Sequence, residues 1–498
     1  MSDVQGTMRR VAIAAAVVLA CSGCSGDGEP GPADGGDVTT GVDTFDAADG
    51  EADAAVEAGG TTDAEDARDA GEPLPPELPV ERAFELVDPF VGSGGQGYGY
   101  AALTPAVQVP NGLVKLGPDT SQGPIAADQQ HFSGYHYDDR DIRGFSHTRL
   151  IGTGAPALGN LRWLPRTKVD DEEPWKAWVP FDKGAESAEP GYYGVTIDDP
   201  AVDVELSSTL RGGIQRYEPD GESLTLTVDA TSHISDGAKP TADLEVAGPN
   251  SATIEGTVHH DGDFATRSQP LDLRFSTTVD PAPASVEVWD DSGVKSGSKT
   301  SGGEAGVVLR FENLQGPVVV RTGLSYVDLE QARQHRRQEL DGRSLADVRA
   351  AAKEAWLKKL RRVRVRVDDP TRAAFLYTAL YNAWRMPTRF DGSDGRYVGL
   401  DGQVHKAGDH RYFTDLSMWD TFRTLHPLLV LVDPGVQRDV LKSLVAMGEQ
   451  GGYIPRWPAG ASYTGSMIGT AADQVVAGSR LKGIDGVDYD RALDLLMK

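Results

Sequence analysis

The stretch PVVVRTGLSYVDLEQARQHRRQELDGRSLADVRAAAKEAWLKKL, residues 317–360, contains the change of period that decides the fold. Up to Tyr326 apolar and polar residues alternate, as in a strand with one buried face; from Asp328 the period becomes helical. Ser344-Leu345-Ala346-Asp347 has the form of a capping box, in which the hydroxyl and the carboxylate each satisfy a backbone N–H of the first turn. Leu345, Val348, Ala352, Ala355, Trp356 and Leu360 then recur along one helical face.

Upstream of this switch, from Phe84 to Tyr326, short alternating runs are broken by Gly, Pro, Asn and Asp. Among them are AVDVELSSTLRGGIQRY, SLTLTVDAT, SATIEGTVHHDG, DLRFSTTVD and GVVLRFEN. Such spacing predicts an antiparallel β-sandwich over residues 81–326. Downstream, Asp369-Pro370 starts a second helix whose body, TRAAFLYTALYNAWRM, is apolar nearly all round, as an element buried on both sides would be. Asp433-Pro434 starts another, with Val436, Val440, Leu441, Leu444 and Val445 on one face and Gly451 as its stop. The last 20 residues read as one further helix. A sandwich followed by helices joined through motif-rich loops suggests an α/α toroid, and residues 327–498 hold too few helices to close it.

The N-terminus, MSDVQGTMRRVAIAAAVVLACSGCSGDG, pairs Arg9 and Arg10 with ten apolar residues from Val11 to Ala20. Ten helical residues span about 15 Å, half a bilayer core, so residues 1–24 read as a secretory signal and not as a span. Cys21 and Cys24 each close a run like that of a bacterial lipobox, which predicts an exported lipoprotein at the outer membrane, cell surface or periplasm, held to the membrane only through a lipid anchor. They are the only cysteines, so the folded part has no disulfide, thiolate nucleophile or Cys-ligated zinc. Residues 25–80 carry sixteen acidic residues against one basic, Arg68, and one aromatic, Phe45. That composition predicts a disordered tether. The formal charge is −27, and no basic stripe stands against it, which excludes a nucleic-acid partner.

Gly92-Ser93-Gly94-Gly95-Gln96-Gly97 matches GxGxxG, but its continuation, YGYAALTPAVQVPNG, has two prolines and no helical period, so a dinucleotide site is rejected. The loop is read instead as a flexible platform exposing Tyr98 and Tyr100 for stacking. SGYHYDDRDIRGFSHTRL, from Ser133, reads as a polar binding loop; His131, His136 and His147 have no metal-ligand spacing. FTDLSMWDTFRTLHPLL, residues 413–429, read as a helix, puts Trp419, Asp420 and Arg423 within one turn, with His426 beyond. Tyr453-Ile454-Pro455-Arg456-Trp457 repeats the same mixture. An indole face packs on the C–H face of a sugar ring, and carboxylate and guanidinium groups bridge its hydroxyls. The combination therefore points to sugar recognition.

Six blocks in order, DPFVGSGGQGY, NGLVKLGPDTS, SGYHYDDRDIRGFSHTRLIGTG, YFTDLSMWDTFRTLHPL, GGYIPRW and MIGTAADQVVAGSRLKGI, resemble those of glycoside hydrolase family 92. The resemblance implies a sandwich linked to an (α/α)6 barrel, here incomplete. It implies an exo-acting α-mannosidase, calcium-dependent, that trims mannose-terminated N-glycans or mannan with inversion, mostly at α-1,2 linkages. It further implies that Trp419, Asp420, Arg456 and Trp457 line the pocket of the departing mannose, while the loops with Tyr135, His136 and Tyr98 close over it. The family's general acid and base are expected in blocks beyond Lys498, so no catalytic residue is assigned. Ala471, Gly478, His131, Gln96, Tyr98, Ala157 and Asn160 depart from the usual family residues. The alternative is a carbohydrate-binding lipoprotein that does not cleave.

Overall fold

The computed structural model describes residues 75–95, 101–120, 131–166, 169, 173–198, 201–235, 239–247 and 253–498. The expectations for the signal, Cys21, Cys24, Tyr98, Tyr100 and residues 25–74 of the tether fall outside these residues. The last stretch of the expected tether, 75–80, is held on the fold, with Leu78 N–H donating to the Val365 carbonyl at 3.0 Å and Val80 opening a helix.

Two antiparallel sheets face each other across one apolar core. At the centre of the first, Leu224–Asp229 lies between Arg162–Arg166 and Ala305–Phe311. In the second, Val318–Ser325 lies between Leu271–Asp280 and Gly212–Pro219. The period-2 reading holds in Thr241–Val246, where Ala242, Leu244 and Val246 are buried and their neighbours exposed, and in the first part of Ala201–Ser208, where Val202, Val204 and Leu206 are buried; at its end Ser207 and Ser208 are buried too.

Helix α1 (Val80–Glu85) precedes the sheets. After them come α2 (Leu329–Glu339), α3 (Leu345–Leu360) and α4 (Pro370–Ala383). The change of period at Asp328 is where the last strand hands over to α2, and Gly323 on that strand explains how the helix docks. A Cβ there would come within 2.3 Å of the Ala332 carbonyl oxygen, so only glycine lets the α2 backbone lie directly on the sheet. The Ser344–Asp347 capping box opens α3 as the sequence predicts, and the Asp369 carboxylate caps α4 with Pro370 in its first turn.

Three helical expectations are corrected. Helix α4 is not buried on both sides: Phe375 is 60% exposed, with Arg372 and Ala379 exposed on the same face. Residues 413–429 are not one helix. Phe413–Thr414 pairs as a strand with Thr388–Arg389, then come α5 (Met418–Thr421) and α6 (Leu425–Val432), interrupted at Thr424 (φ −130°, ψ −62°). Trp419 and Asp420 therefore sit on a single turn, and His426 belongs to the next helix. The last 20 residues are not helical throughout: α8 (Ala471–Leu481) ends inside them, Gly483 and Gly486 follow at positive φ, and the expected helix is confined to α9 (Tyr489–Leu496). Between them and α6 lies α7 (Pro434–Gly451), whose left-handed stop is Gly452, one residue later than expected. Helix α7 packs against α6 and α9, and α8 packs against α6 and α9.

The segment 104–116 locks the sandwich to the helical part. The buried Arg385 guanidinium donates to the carbonyls of Thr104 at 2.7 Å and Ala106 at 3.0 Å, and Gln108 returns a bond to the Arg385 carbonyl at 2.8 Å. Asn111 donates to the Pro387 carbonyl at 2.8 Å, and the Trp356 indole of α3 donates to the Gln108 carbonyl at 2.8 Å. These bonds are buried and directional, so they set the register between the two parts more sharply than apolar contact alone.

Candidate functional site

The loop from the sandwich that carries Ile151, Gly152 and Thr153 meets the segment Asp415–Ser417, the single turn α5 and the start of α6. Together with Met386 and Pro387 they enclose a cavity of about 70 Å³, which Thr421, Leu425 and His426 also line. Beside it, Trp419 is half-buried and Asp420 exposed. The Arg423 guanidinium lies 5.6 Å from the centre of the Trp419 ring and donates to the Trp419 carbonyl at 2.7 Å. Asp420 accepts from the Ser417 hydroxyl. The turn thus presents an indole, a carboxylate and a cation together, which a longer helix would have spread along its length.

The Arg456–Trp457 loop is stitched to this turn through backbone and carboxylate. Leu416 N–H donates to the Pro458 carbonyl at 2.9 Å, Thr414 donates to the Gly460 carbonyl at 2.6 Å, and Gly460 N–H donates to Asp415 at 2.9 Å. Asp415 holds φ +59°, a left-handed conformation that aspartate tolerates better than most residues and that turns the chain toward α5. Its other oxygen faces the Lys115 ammonium at 3.5 Å, which also donates to Thr388 at 2.7 Å. Burial pushes the Lys115 ammonium below its ordinary range, and the Asp415 charge opposes that shift.

The expected site residues separate into two groups. Trp419 and Asp420 are brought beside the Arg456 loop, and Arg456 stays half-buried, donating to the Gly465 carbonyl at 3.3 Å. Trp457, by contrast, does not line an open pocket. It is 3% exposed, packed with Leu150, Leu158 and Ala265 of the sandwich and edge-on to Phe264 at 5.0 Å. Its large apolar surface is spent on joining the two parts. Tyr135 is fully buried too: its hydroxyl donates to Glu186 at 3.0 Å and accepts from Lys183 at 2.6 Å. Burial, then the Glu186 charge, pushes that phenol far above its usual range, so it is neither a sugar platform nor a proton donor. The exposed aromatic of the loop is Tyr137, 43% accessible, with the Lys183 ammonium 4.6 Å from its ring centre.

The histidines are held by the protein itself. His136 Nε2 lies 2.9 Å from the Gly95 carbonyl and its Nδ1 accepts from the Asp138 N–H at 3.1 Å, so both ring nitrogens are bonded within the protein. His131 pairs with Asp139 at 2.6 Å, and His147 Nδ1 donates to the Leu161 carbonyl at 2.8 Å. Among the described residues no three His, Cys, Asp or Glu side chains converge as a metal ion would require. The calcium expectation therefore finds no side-chain cage there, and no chemical step is routed through the ion.

Two contributors escaped the sequence reading, Lys115 and Gln437. Lys115 left a signal, a single cation inside the apolar run NGLVKLG, which implies a buried partner. Gln437 left none: it lies on α7 and acts by fixing the His426 ring.

The description "Glycosyl hydrolase family 92 N-terminal domain" matches residues 86–325, and "Glycosyl hydrolase family 92 catalytic domain" matches residues 331–498. Comparison with curated proteins returns no match. Among solved structures, the family GH92 α-mannosidase of Bacteroides thetaiotaomicron in complex with mannoimidazole superposes with a TM-score of 0.76 at 28% identity, over 83% of this chain and 55% of that one. A GH92 family glycosyl hydrolase gives a TM-score of 0.71 at 28% identity, over 84% of this chain and 56% of that one. The GH92 inverting mannosidase of Bacteroides thetaiotaomicron VPI-5482 shares the fold, with a TM-score of 0.73 at 23% identity, over 83% and 55% of the two chains. The chain thus spans little more than half the length of these relatives. With both family domains matched in order, one over the sheets and the other over the helices, this chain belongs to glycosyl hydrolase family 92.

Proposed function

We propose that this chain builds the mannose-recognising framework of an exo-acting α-mannosidase, which removes terminal mannose from N-glycans or mannan, chiefly α-1,2-linked, by inversion with calcium assistance. The reading includes export as a lipoprotein anchored through Cys24 or Cys21. The observation that carries it is the likeness, at 28% identity, to an α-mannosidase solved with mannoimidazole; in this chain the turn with Trp419 and Asp420 follows Leu416, which is tied by its N–H to Pro458 in the Arg456–Trp457 loop.

In this reading the open part of the Trp419 indole receives the C–H face of the sugar, which buries apolar area without asking for polar partners. Asp420 accepts from two ring hydroxyls and Arg456 donates to another; charge-assisted bonds of this kind are stronger than neutral ones. Trp457 and Tyr135 act one step back, holding the loops. No described residue is assigned as general acid or base.

The test is calorimetry on the full chain with methyl α-mannoside, with and without calcium. Binding in the millimolar range is expected, weakened roughly 10- to 100-fold by Asp420→Ala, since a bond to a charged group contributes about 1.5–3 kcal/mol. A cooperatively folding chain that gives no heat with the mannoside in either condition would sink the proposal.

A further inference from the structure

His426 has a feature that the sugar-binding roles of Trp419, Asp420 and Arg456 leave unused. The ring is 2% exposed, on α6, and lines the 70 Å³ cavity beneath α5. Its hydrogen bonding can be traced outward. Ser479 donates to the Val475 carbonyl at 2.6 Å, so it accepts from Gln437 Nε2 at 2.9 Å. That orients the Gln437 amide with its oxygen toward His426, 2.9 Å from Nδ1. Nδ1 therefore carries the proton and donates. Nε2 keeps a lone pair, is buried, and has no partner. The Nδ1 edge faces Gln437 on α7, which does not line the cavity, whereas the His426 ring does.

The other polar groups of the wall are short of donors as well. The Thr421 hydroxyl spends its proton on the Ser417 carbonyl at 2.9 Å, and the Ser417 hydroxyl spends its own on Asp420. Asp415 contributes a carboxylate. The Thr153 hydroxyl spends its proton on the Ala155 carbonyl at 3.0 Å, and the remaining wall is Gly152 with the apolar Ile151, Met386, Pro387, Leu416 and Leu425. An anion would meet lone pairs on every polar side. A cation would find the Lys115 ammonium, already 3.5 Å from Asp415. What fits is a neutral donor on an apolar stem. A cavity of about 150 Å³ accepts a six-membered ring, so one of this size takes a short arm and not a ring.

We propose that this recess receives the exocyclic hydroxymethyl group of a hexose, its hydroxyl donating to His426 Nε2 and its methylene lying against the apolar wall. The inference rests on the sugar-binding reading and adds to it a determinant of specificity: a hexose with a free 6-hydroxyl is preferred over its 6-deoxy counterpart. Burial holds the ring uncharged at neutral pH, pushing its pKa down to about 4, so the acceptor is available under physiological conditions.

The test is ¹⁵N NMR of the histidine side chains in the full chain, titrated separately with methyl α-mannoside, its 6-deoxy analogue and ethylene glycol. His147 is the internal control: its Nε2 is also buried and without a partner, and it does not line this cavity. The expected result is an unprotonated His426 Nε2 that shifts on adding the mannoside and ethylene glycol but not the 6-deoxy sugar, while His147 stays still. In calorimetry the 6-deoxy sugar should bind roughly tenfold more weakly, the loss of one hydrogen bond to a buried acceptor. A protonated Nε2, a shift equal for both sugars, or a resonance unmoved by ethylene glycol (a recess already filled by water) each overturns the proposal. A response to ethylene glycol with none to either sugar supports the hydroxymethyl recess and overturns the mannose reading instead.

Discussion

Two of the buried histidines make a sharp prediction about acid. His147 and His426 both have their pKa pushed down to about 4 by burial, with Nδ1 bonded to the Leu161 carbonyl and to Gln437 respectively. In an unfolded chain each imidazole titrates near 6.5. Between those values the unfolded state binds more protons, so stability must rise with pH there. Their contribution is complete above pH 6.5 and is lost as pH falls toward 4. At pH 5 the unfolded imidazole is about 1.5 units below its pKa while the folded one is still neutral. At about 1.36 kcal/mol per unit, each ring then costs about 2 kcal/mol, and the pair about 4 kcal/mol. A domain stable by about 5–15 kcal/mol would feel that loss. Other groups titrate over the same range, so the useful quantity is a difference. Urea unfolding of the wild type and of His147→Gln and His426→Gln, monitored by tryptophan fluorescence at pH 7.5 and 5.0, isolates each ring. The deficit of each variant relative to the wild type should shrink by about 2 kcal/mol at the lower pH. A deficit independent of pH, or imidazole resonances titrating near 6.5 in the folded protein, would refute the reasoning.

Lys115→Met leaves the Asp415 carboxylate without its buried cation; a cost of about 3–5 kcal/mol is expected, with partial recovery in Lys115→Met/Asp415→Asn, and full stability of the single variant would contradict it. Trp457→Ala empties a site between sandwich and helices and should cost about 3–5 kcal/mol by urea unfolding, whereas a surface indole would cost almost nothing.

Much of the architecture is written locally. The switch at Asp328, the Ser344–Asp347 box and the Asp369-Pro370 start could be read from residues within a turn of each other, because strand alternation and helix capping are interactions of neighbours. That Trp419 and Asp420 share one turn was legible for a related reason: the motif is short. The break inside residues 413–429 did leave a signal, Pro427, whose missing N–H and ring bar a helix from running on past Arg423 and suit the first turn of α6. What the sequence did not show is the left-handed Asp415, held by Gly460 and Lys115.

Which aromatic faces outward was likewise undetermined. Tyr135 and Tyr137 differ little in sequence context, yet Glu186 and Lys183, some fifty residues on, take the first inside and leave the second exposed. The sequence by itself determined the order of sheets and helices and the family to which they belong. Only the tertiary structure decided that Lys115 meets Asp415 across 300 residues, that Trp457 is a joint and not a platform, and that His426 keeps a free lone pair beside a small cavity. Periodicity is a property of neighbours along the chain, whereas burial and pairing are set by whatever the fold brings alongside.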